Sequence, residues 1–305
     1  MIRSALRYPG GKFKAMPQIM KILPDSDIDD LREPFFGGGS FTLYYLQSHR
    51  KKPKRVTVGD LNTEIYNFWS MAQQNPMEVV ECVAAWHKDK VPDYTVDWTR
   101  TPTESLPESF KEQGRELWDS VKNVEFSTLD DIQRAARLII INHISFSSLG
   151  DSGTLSYDKF KELDPEKIRQ KVVDVSGVLQ GIDIRNCSYE EIMREKGENV
   201  FIFLDPPYLT QESSKLYGKD GDMHAGFPHE AFAQECLNSP YDLLITLDDC
   251  ARVRQLYRDL TVESFRIPYT CGGKTSKDAL AGEEVFIYNY KVDNGESYDI
   301  LSEIL

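Results

Sequence analysis

Residues 200–208 read VFIFLDPPY: five apolar residues, then a carboxylate, two prolines and an aromatic ring. An uninterrupted apolar run of this length is typical of a parallel strand that is buried on both faces. Proline cannot continue a ladder of backbone hydrogen bonds, and it holds the residue before it in an extended conformation. The sequence therefore predicts a buried strand over residues 200–205, followed by a stiff loop that presents Asp205 at the edge of a sheet.

Further apolar segments on both sides of this strand alternate with helical patterns. Strands are expected over residues 31–36, 55–60, 181–186, 242–246 and 284–290, and helices over residues 13–23 and 41–46. Strands at this spacing, with helices between them, indicate an α/β protein with a doubly wound, largely parallel sheet.

Residues 63–175 have a different pattern. Helices are expected over residues 65–72, 77–87, 128–144 and 165–179, around a polar stretch at 91–108 and a serine- and glycine-rich loop at 145–156. A mostly helical block between two α/β segments is the pattern of an inserted domain. The sequence thus predicts one α/β domain built from residues 1–62 and 176–305, and an inserted, mostly helical domain at 63–175.

The charge and the composition narrow the class of protein. The chain has 36 basic and 49 acidic residues, a net charge of −13, which argues mildly against a nucleic-acid partner because phosphate contacts need Lys and Arg. Local basic clusters are each expected to be solvated faces; they are residues 50–55, the set Arg252, Arg254 and Arg258, and Lys274 with Lys277. The five scattered cysteines form no CxxC pair, so no disulfide framework or metal site is expected. No run approaches the roughly 18 apolar residues of a membrane helix, and a cytoplasmic protein is expected.

Two predicted strands besides the one at 200–205 end in segments that can contact a ligand, since open α/β sheets bind ligands beyond the carboxyl ends of their strands. Phe36-Gly37-Gly38-Gly39 follows the first strand, and its glycines allow a sharp bend and a close backbone approach. A plain strand-to-helix connection would look the same. Asp60 follows the second strand; it could bind the hydroxyls of a ribose, or it could cap the next helix.

A further segment lies at residues 7–12, which read RYPGGK. It offers an aromatic ring, a glycine turn and a cation within six positions. Those groups could hold the carboxylate and adenine-like parts of a small molecule, although a basic N-terminal turn is also common on solvated surfaces.

The loop at 205–208 suits an exocyclic amino group of a nucleobase. The Asp205 side chain and the Pro206 carbonyl can accept its two N–H bonds, which leaves the nitrogen lone pair aimed at an incoming methyl group. Pro207 stiffens the loop, and the Tyr208 ring can stack on the base. The alternative interpretation, a rigid surface turn, does not require a fully apolar run before it.

Six segments of the chain together resemble a known family. They are RYPGGK at 7–12, EPFFGGGS at 33–40, VGDLN at 58–62, INHISFSSLG at 141–150, DPPY at 205–208 and EEVFIYNY at 283–290. In this order they are similar to the Dam-type (D12 class) adenine-N6 DNA methyltransferases of the alpha group. The resemblance extends over nearly the whole chain.

The resemblance implies a Rossmann-like core that transfers a methyl group from S-adenosylmethionine to the N6 amino group of an adenine flipped out of duplex DNA, without a metal. The family's cofactor-binding positions correspond to Tyr8, Lys12, Phe36, Gly37, Gly38, Gly39, Asp60, Tyr189 and Asp205. Its catalytic loop corresponds to Asp205, Pro206, Pro207 and Tyr208. Residues 63–175 would form the target-recognition domain of an enzyme related to restriction-modification systems, a monomer or weak dimer in a bacterial or virus-infected cell.

Two positions depart from the family's pattern. Where the family often has Asn-Gly-Asp before the aromatic residue, this chain has Asn186-Cys187-Ser188 before Tyr189, so Ser188 stands in place of the acid. The family's Gly-Arg-Asn-like loop corresponds to residues 147–151, which lack the Arg that could read guanine or phosphate. The recognition sequence is therefore not predicted.

Two other hypotheses stay open at this point. The same loop geometry could serve cytosine N4, an RNA base or a protein glutamine amide, and the acidic charge makes such a substrate worth testing. The chain could also be a noncatalytic DNA-binding relative, although the intact loop at 205–208 and Lys12 argue against it.

Overall fold

The computed structural model describes residues 1–8, 10–88, 90, 96–146, 153–209, 226–267 and 282–292. Within these ranges one sheet has seven strands in the order β3-β2-β1-β4-β5-β7-β6. The strands are β1 (Asp30–Glu33), β2 (Arg55–Gly59), β3 (Asp183–Arg185), β4 (Val200–Leu204), β5 (Asp242–Asp248), β6 (Thr261–Ile267) and β7 (Gly282–Tyr288). β1 to β5 pair in parallel, and β7 is antiparallel to both β5 and β6.

Helices connect the strands and form the block between β2 and β3. They are α1 (Met16–Lys21), α2 (Ser40–Leu46), α3 (Thr63–Gln74), α4 (Pro76–His87), α5 (Glu108–Lys122), α6 (Asp131–Ile144), α7 (Tyr157–Lys161), α8 (Pro165–Leu179), α9 (Tyr189–Met193), α10 (His229–Leu237) and α11 (Ala251–Leu256). Capping residues mark where two of these helices begin. Asp130 caps α6 in a capping box with Gln133, and Asp164 caps α8, which begins at a proline. Both devices satisfy backbone N–H groups that a helix start leaves unpaired.

The two faces of the sheet carry separate cores, and β4 contributes to both. Phe201 and Phe203 pack with α1, α2 and the helices between β2 and β3, whereas Val200, Ile202 and Leu204 pack with α10 and α11. All five residues of β4 are buried. The doubly wound, largely parallel α/β fold that the sequence predicted is thereby confirmed.

The helical block packs on the first of these faces. Phe68 and Trp69 of α3 are fully buried, and they belong to the same core as Phe41 of α2 and Leu179 of α8. The described helices between β2 and β3 therefore rest on the α/β core through α3 and α8, and α4, α5 and α6 extend from there. No helix in the described ranges combines the length and the apolar character needed to span a bilayer.

Some element bounds differ from the sequence prediction. β1 ends at Glu33 rather than at residue 36, because Pro34 has no backbone N–H to donate. The helix expected over 13–23 is a short 3-10 turn (Lys12–Lys14) followed by α1. The late strand ends at Tyr288, and its neighbour β6 was not predicted.

The strand order reverses between β1 and β4. β1 pairs with β2 on one side and with β4 on the other, so the connections leave these two strands toward opposite faces. A crevice opens beyond the carboxyl ends at such a switch point. The segments that follow Glu33 and Leu204 border this crevice.

Candidate active site

A cavity of about 460 Å³ lies at the carboxyl ends of β1, β2 and β4. Every residue that the sequence assigned to the cofactor or to catalysis lines it, namely Tyr8, Lys12, Phe36, Gly37, Gly38, Gly39, Asp60, Tyr189, Asp205, Pro206, Pro207 and Tyr208. Residues that the sequence did not assign also line it, among them Glu33, Phe35, Leu61, Ser188, Glu190 and Phe227. Six separate parts of the sequence thus meet in one pocket.

The glycine turn after β1 is packed between two aromatic side chains. Gly37 has a φ of +45°, and a Cβ there would lie 2.8 Å from Cζ of Tyr8; a Cβ on Gly38 would lie 2.7 Å from Cβ of Tyr8. On the other side, Trp69 Nε1 donates to the Gly37 carbonyl at 2.8 Å. Only glycine permits this backbone conformation together with this close approach.

Asp60 fixes the same turn from the end of β2. Its Oδ2 accepts from the Gly37 N–H and its Oδ1 from the Asn62 N–H, each at 2.8 Å. Loss of water contacts raises the pKa of Asp60 from its ordinary value to about 6, against the effect of these two hydrogen bonds. The side chain that caps α3 is Asn62, so the helix-cap interpretation of Asp60 is wrong.

An aromatic wall forms one side of the cavity. The Tyr189 ring stacks on Phe35 with centroids 5.5 Å apart, and Phe227 lies 5.8 Å from Phe35 and 6.0 Å from Tyr189. Ser188 is the N-cap of α9, and its N–H donates to Glu191 Oε1 at 3.1 Å. The position that departs from the family's acid thus begins a helix, and Tyr189 is the first residue of that helix.

Asp205 is held by two donors on one of its oxygens. Lys12 Nζ lies 2.9 Å from Oδ1, and Thr246 Oγ1 of β5 donates to the same oxygen at 2.7 Å. Lys12 is 3% exposed and also donates to the Gly10 carbonyl at 2.8 Å. Among the described residues no donor reaches Oδ2, so that oxygen is left to accept from a ligand.

Tyr208 is the last residue of the Asp-Pro-Pro-Tyr loop, and its side chain contacts Lys12 and Glu284. Lys12 Nζ lies 4.9 Å from the centroid of its ring, which is within range of a cation–π interaction. The Tyr208 hydroxyl donates to Glu284 Oε2 at 2.8 Å. The sequence analysis missed Glu284 and Thr246, and the available signal was weak: each is a polar residue directly beside apolar residues of its strand.

Glu33 is another residue that the sequence analysis missed. It ends β1, is 2% exposed and accepts from the N–H and the hydroxyl of Thr42, at 3.0 and 2.5 Å. Burial, opposed by the two hydrogen bonds from Thr42 and aided by the nearby carboxylates of Asp205 and Asp60, raises the pKa of Glu33 from 4.5 to about 8. The carboxyl group is therefore protonated in the folded protein at neutral pH.

This protonation predicts a pH dependence of stability. Between pH 5 and 8 the unfolded chain has released the Glu33 proton and the folded chain retains it, so the free energy of unfolding falls by about 1.4 kcal/mol per pH unit through this group. Glu33→Gln keeps the acceptor for Thr42 and removes the titration. Urea unfolding at pH 5, 6, 7 and 8 should give a flatter curve for the variant than for the wild type. Parallel curves would contradict the assignment.

The basic clusters are engaged in ion pairs. Arg252 pairs with Glu230, Arg254 with Asp249 and Arg258 with Asp259. In residues 50–55, Lys51 and Lys54 pair with Asp27 and Asp29, and Arg55 pairs with Glu195. Lys274, Lys277 and the loop at 147–151 lie outside the described residues.

The sheet and its pocket define an α/β protein with a cavity at a switch point, lined by an Asp-Pro-Pro-Tyr loop, a glycine turn and an acid. The chain belongs to the family of D12 class N6 adenine-specific DNA methyltransferases, whose family model matches residues 8–270. The resemblance drawn from the sequence is confirmed, and with it the assignment as an adenine-specific DNA methyltransferase, an enzyme that requires a methyl donor.

Named relatives agree with the family. The chain is 20% identical to the type II methyltransferase M1.LlaDCHI of Lactococcus lactis subsp. cremoris over 303 residues, which covers 95% of this chain and 96% of the relative. It is 23% identical to the type II methyltransferase M.MjaIII of Methanocaldococcus jannaschii, over 70% of this chain and 72% of that one. A DNA N-6-adenine-methyltransferase of Escherichia phage P1 is 23% identical over 84% of this chain, and the match spans 31% of the phage protein.

Proposed function

We propose that S-adenosylmethionine is the methyl donor and that it binds in the cavity between the glycine turn and the aromatic wall. The cavity of about 460 Å³ has the size of a small-molecule site. The carboxylate of Asp60 retains lone pairs for ribose hydroxyls, and the stacked rings of Phe35 and Tyr189 provide an apolar surface for a purine. Bound there, the cofactor supplies a methyl group that its sulfonium centre makes electrophilic.

The geometry of Asp205 is the observation that carries the proposal. Lys12 and Thr246 both engage Oδ1, so the carboxylate is fixed and Oδ2 can accept an N–H bond from the adenine amino group. The Pro206 carbonyl accepts the second N–H bond, and the Tyr208 ring stacks on the base. These groups orient the amino nitrogen for attack, and such positioning accounts for much of the catalysis in a transfer of this kind.

A base inside a duplex cannot reach a carboxylate at the bottom of a pocket, so the target adenine must be flipped out. We infer that the helical block at residues 63–175 is the domain that reads the DNA. The contacts of α3 and α8 with the α/β core support this assignment. A cytoplasmic location and a monomeric or weakly dimeric state stay predictions.

The experiment that tests the proposal is expression in bacteria that lack adenine methylation, followed by single-molecule sequencing and mass spectrometry of the nucleosides. N6-methyladenine in one sequence context is the expected result, and it also gives the recognition sequence. Cells with the empty vector are the control. N4-methylcytosine instead, or purified protein that binds S-adenosylmethionine but methylates no DNA, would replace the proposal with one of the two alternatives.

A further inference from the structure

Glu284 is a buried acid that directly precedes the apolar part of its strand. It lies near the start of β7, is 2% exposed, and is followed by Val285, Phe286 and Ile287, which are all buried. A carboxylate in such a place is costly unless charged or polar partners compensate for the lost water. Its partners therefore indicate why the position holds an acid.

Two of its partners are Tyr208 and Lys12, which both lie close to the catalytic loop. Glu284 Oε2 accepts from the Tyr208 hydroxyl at 2.8 Å, and the same oxygen lies 4.0 Å from Lys12 Nζ. Lys12 in turn contacts Asp205 Oδ1 at 2.9 Å. One carboxylate thus connects the far end of the Tyr208 side chain with the cation that holds Asp205.

The neighbouring strand has a second acid at the matching position. Asp248 of β5 is the direct cross-strand partner of Glu284, and its Oδ1 accepts from the Leu209 N–H at 3.0 Å. The two carboxylates therefore hold adjacent residues of the loop, one through the Tyr208 side chain and the other through the Leu209 backbone. Glu284 does not line the cavity, so it acts on a bound base only through other residues.

We propose that Glu284 is a positioning residue for methyl transfer, which fixes the plane of the Tyr208 ring and shares the charge of Lys12 with Asp205. This inference rests on the proposed function. Without this acceptor, the Tyr208 hydroxyl loses its hydrogen bond to Glu284, and Lys12 loses the carboxylate that lies 4.0 Å from its Nζ. A poorly oriented base slows the chemical step, whereas the cofactor surface at the glycine turn and Asp60 is unchanged.

The test compares Glu284→Met, which has no acceptor, with Glu284→Gln, whose amide oxygen can still accept from Tyr208. The substrate is a synthetic duplex with the recognition sequence that the single-molecule sequencing experiment identifies, and the methyl group of S-adenosylmethionine is labelled. Glu284→Met should lower the single-turnover rate by about tenfold or more and leave the affinity for S-adenosylmethionine within about twofold. Glu284→Gln should recover most of the rate.

The chain offers a matched control at the other end of β7. There the Tyr288 hydroxyl donates to Glu263 Oε1 at 2.6 Å, a pair of the same chemistry away from the cavity. Glu263→Met should leave the methylation rate within about twofold of the wild type. Thermal unfolding of both variants shows whether either has lost its fold.

A double-mutant cycle separates positioning from a general structural effect. If Glu284 acts through the Tyr208 hydroxyl, Glu284→Met should cost much less in a Tyr208→Phe background than in the wild type. Equal costs in both backgrounds, or a Glu284→Met variant as active as Glu263→Met, would overturn the inference. A wild-type protein without methyl transfer would instead contradict the proposed function.

Discussion

Asp205→Ala is expected to abolish methyl transfer, with a loss in single-turnover rate of roughly a thousandfold or more. The variant removes the acceptor that would hold the adenine amino group, and it also takes from Lys12 its nearest carboxylate, 2.9 Å away. Binding of S-adenosylmethionine should persist, because the glycine turn and Asp60 are untouched. Labelled methyl incorporation into duplex DNA measures the first effect, and equilibrium dialysis of the cofactor measures the second.

A suitable control is Asp242→Ala. Asp242 is the first residue of β5, so it lies at the amino ends of the parallel strands, whereas the cavity lies at their carboxyl ends. Its loss should therefore leave methylation within about twofold of the wild type. Full activity of Asp205→Ala, in a protein that unfolds at the normal temperature, would refute the assigned role of the carboxylate.

The second large effect concerns stability and is expected at Arg32. This side chain is fully buried in β1; it donates to Asp30 Oδ2 at 2.7 Å and to the carbonyls of Ile192 and Glu195 at 3.0 and 2.8 Å. Arg32→Met removes the arginine donor from the buried carboxylate of Asp30 and from the Ile192 carbonyl, whereas the Glu195 carbonyl keeps its hydrogen bond from the Tyr241 hydroxyl. Removal of one partner from a buried ion pair costs about 3–5 kcal/mol of unfolding free energy, which urea titration measures.

Arg194 provides the comparison on the surface. It makes two hydrogen bonds to Glu235, at 2.8 and 2.7 Å, but its side chain is 65% exposed. Arg194→Met should cost less than about 1 kcal/mol, because water screens the pair and replaces its hydrogen bonds. Similar losses for the two variants would contradict the importance assigned to the burial of Arg32.

The sequence was informative where a pattern is local. The apolar run at 200–204 predicted a strand that is buried on both faces, and α8 has the predicted bounds Pro165–Leu179, since a proline and a capping Asp mark its start. The site residues were found for a similar reason. The glycine turn, Asp60 and the loop at 205–208 each follow a strand, and strand ends in a parallel sheet meet at one edge, whereas Tyr8 and Lys12 precede β1 and were predicted from the segment at 7–12.

What escaped the sequence analysis depends on contacts between distant segments. Glu33 and Glu284 are charged residues whose burial is set by neighbours far along the chain, such as Tyr208 for Glu284 at a separation of 76 residues. β6, TVESFRI, is an edge strand whose apolar residues are separated by polar ones, and this pattern is less distinctive than a continuous apolar run. Whether Asp60 capped the next helix or bound another group depended on its contact with the glycine turn, which lies 23 residues away in the sequence.

The double-sided burial of β4 has a consequence for hydrogen exchange. Because both cores must separate before its amides are exposed, we expect the amides of Phe201, Ile202 and Phe203 to exchange only through global unfolding. Lys12 belongs to a short 3-10 turn (Lys12–Lys14) near the N-terminal end of the described chain, and such a turn opens through local fluctuations. The ion pair between Lys12 and Asp205, the residue after β4, therefore links a strand that is expected to exchange slowly with a turn that is expected to exchange fast. Opening of the site is expected to proceed by movement of the Lys12 segment while Asp205 stays in place.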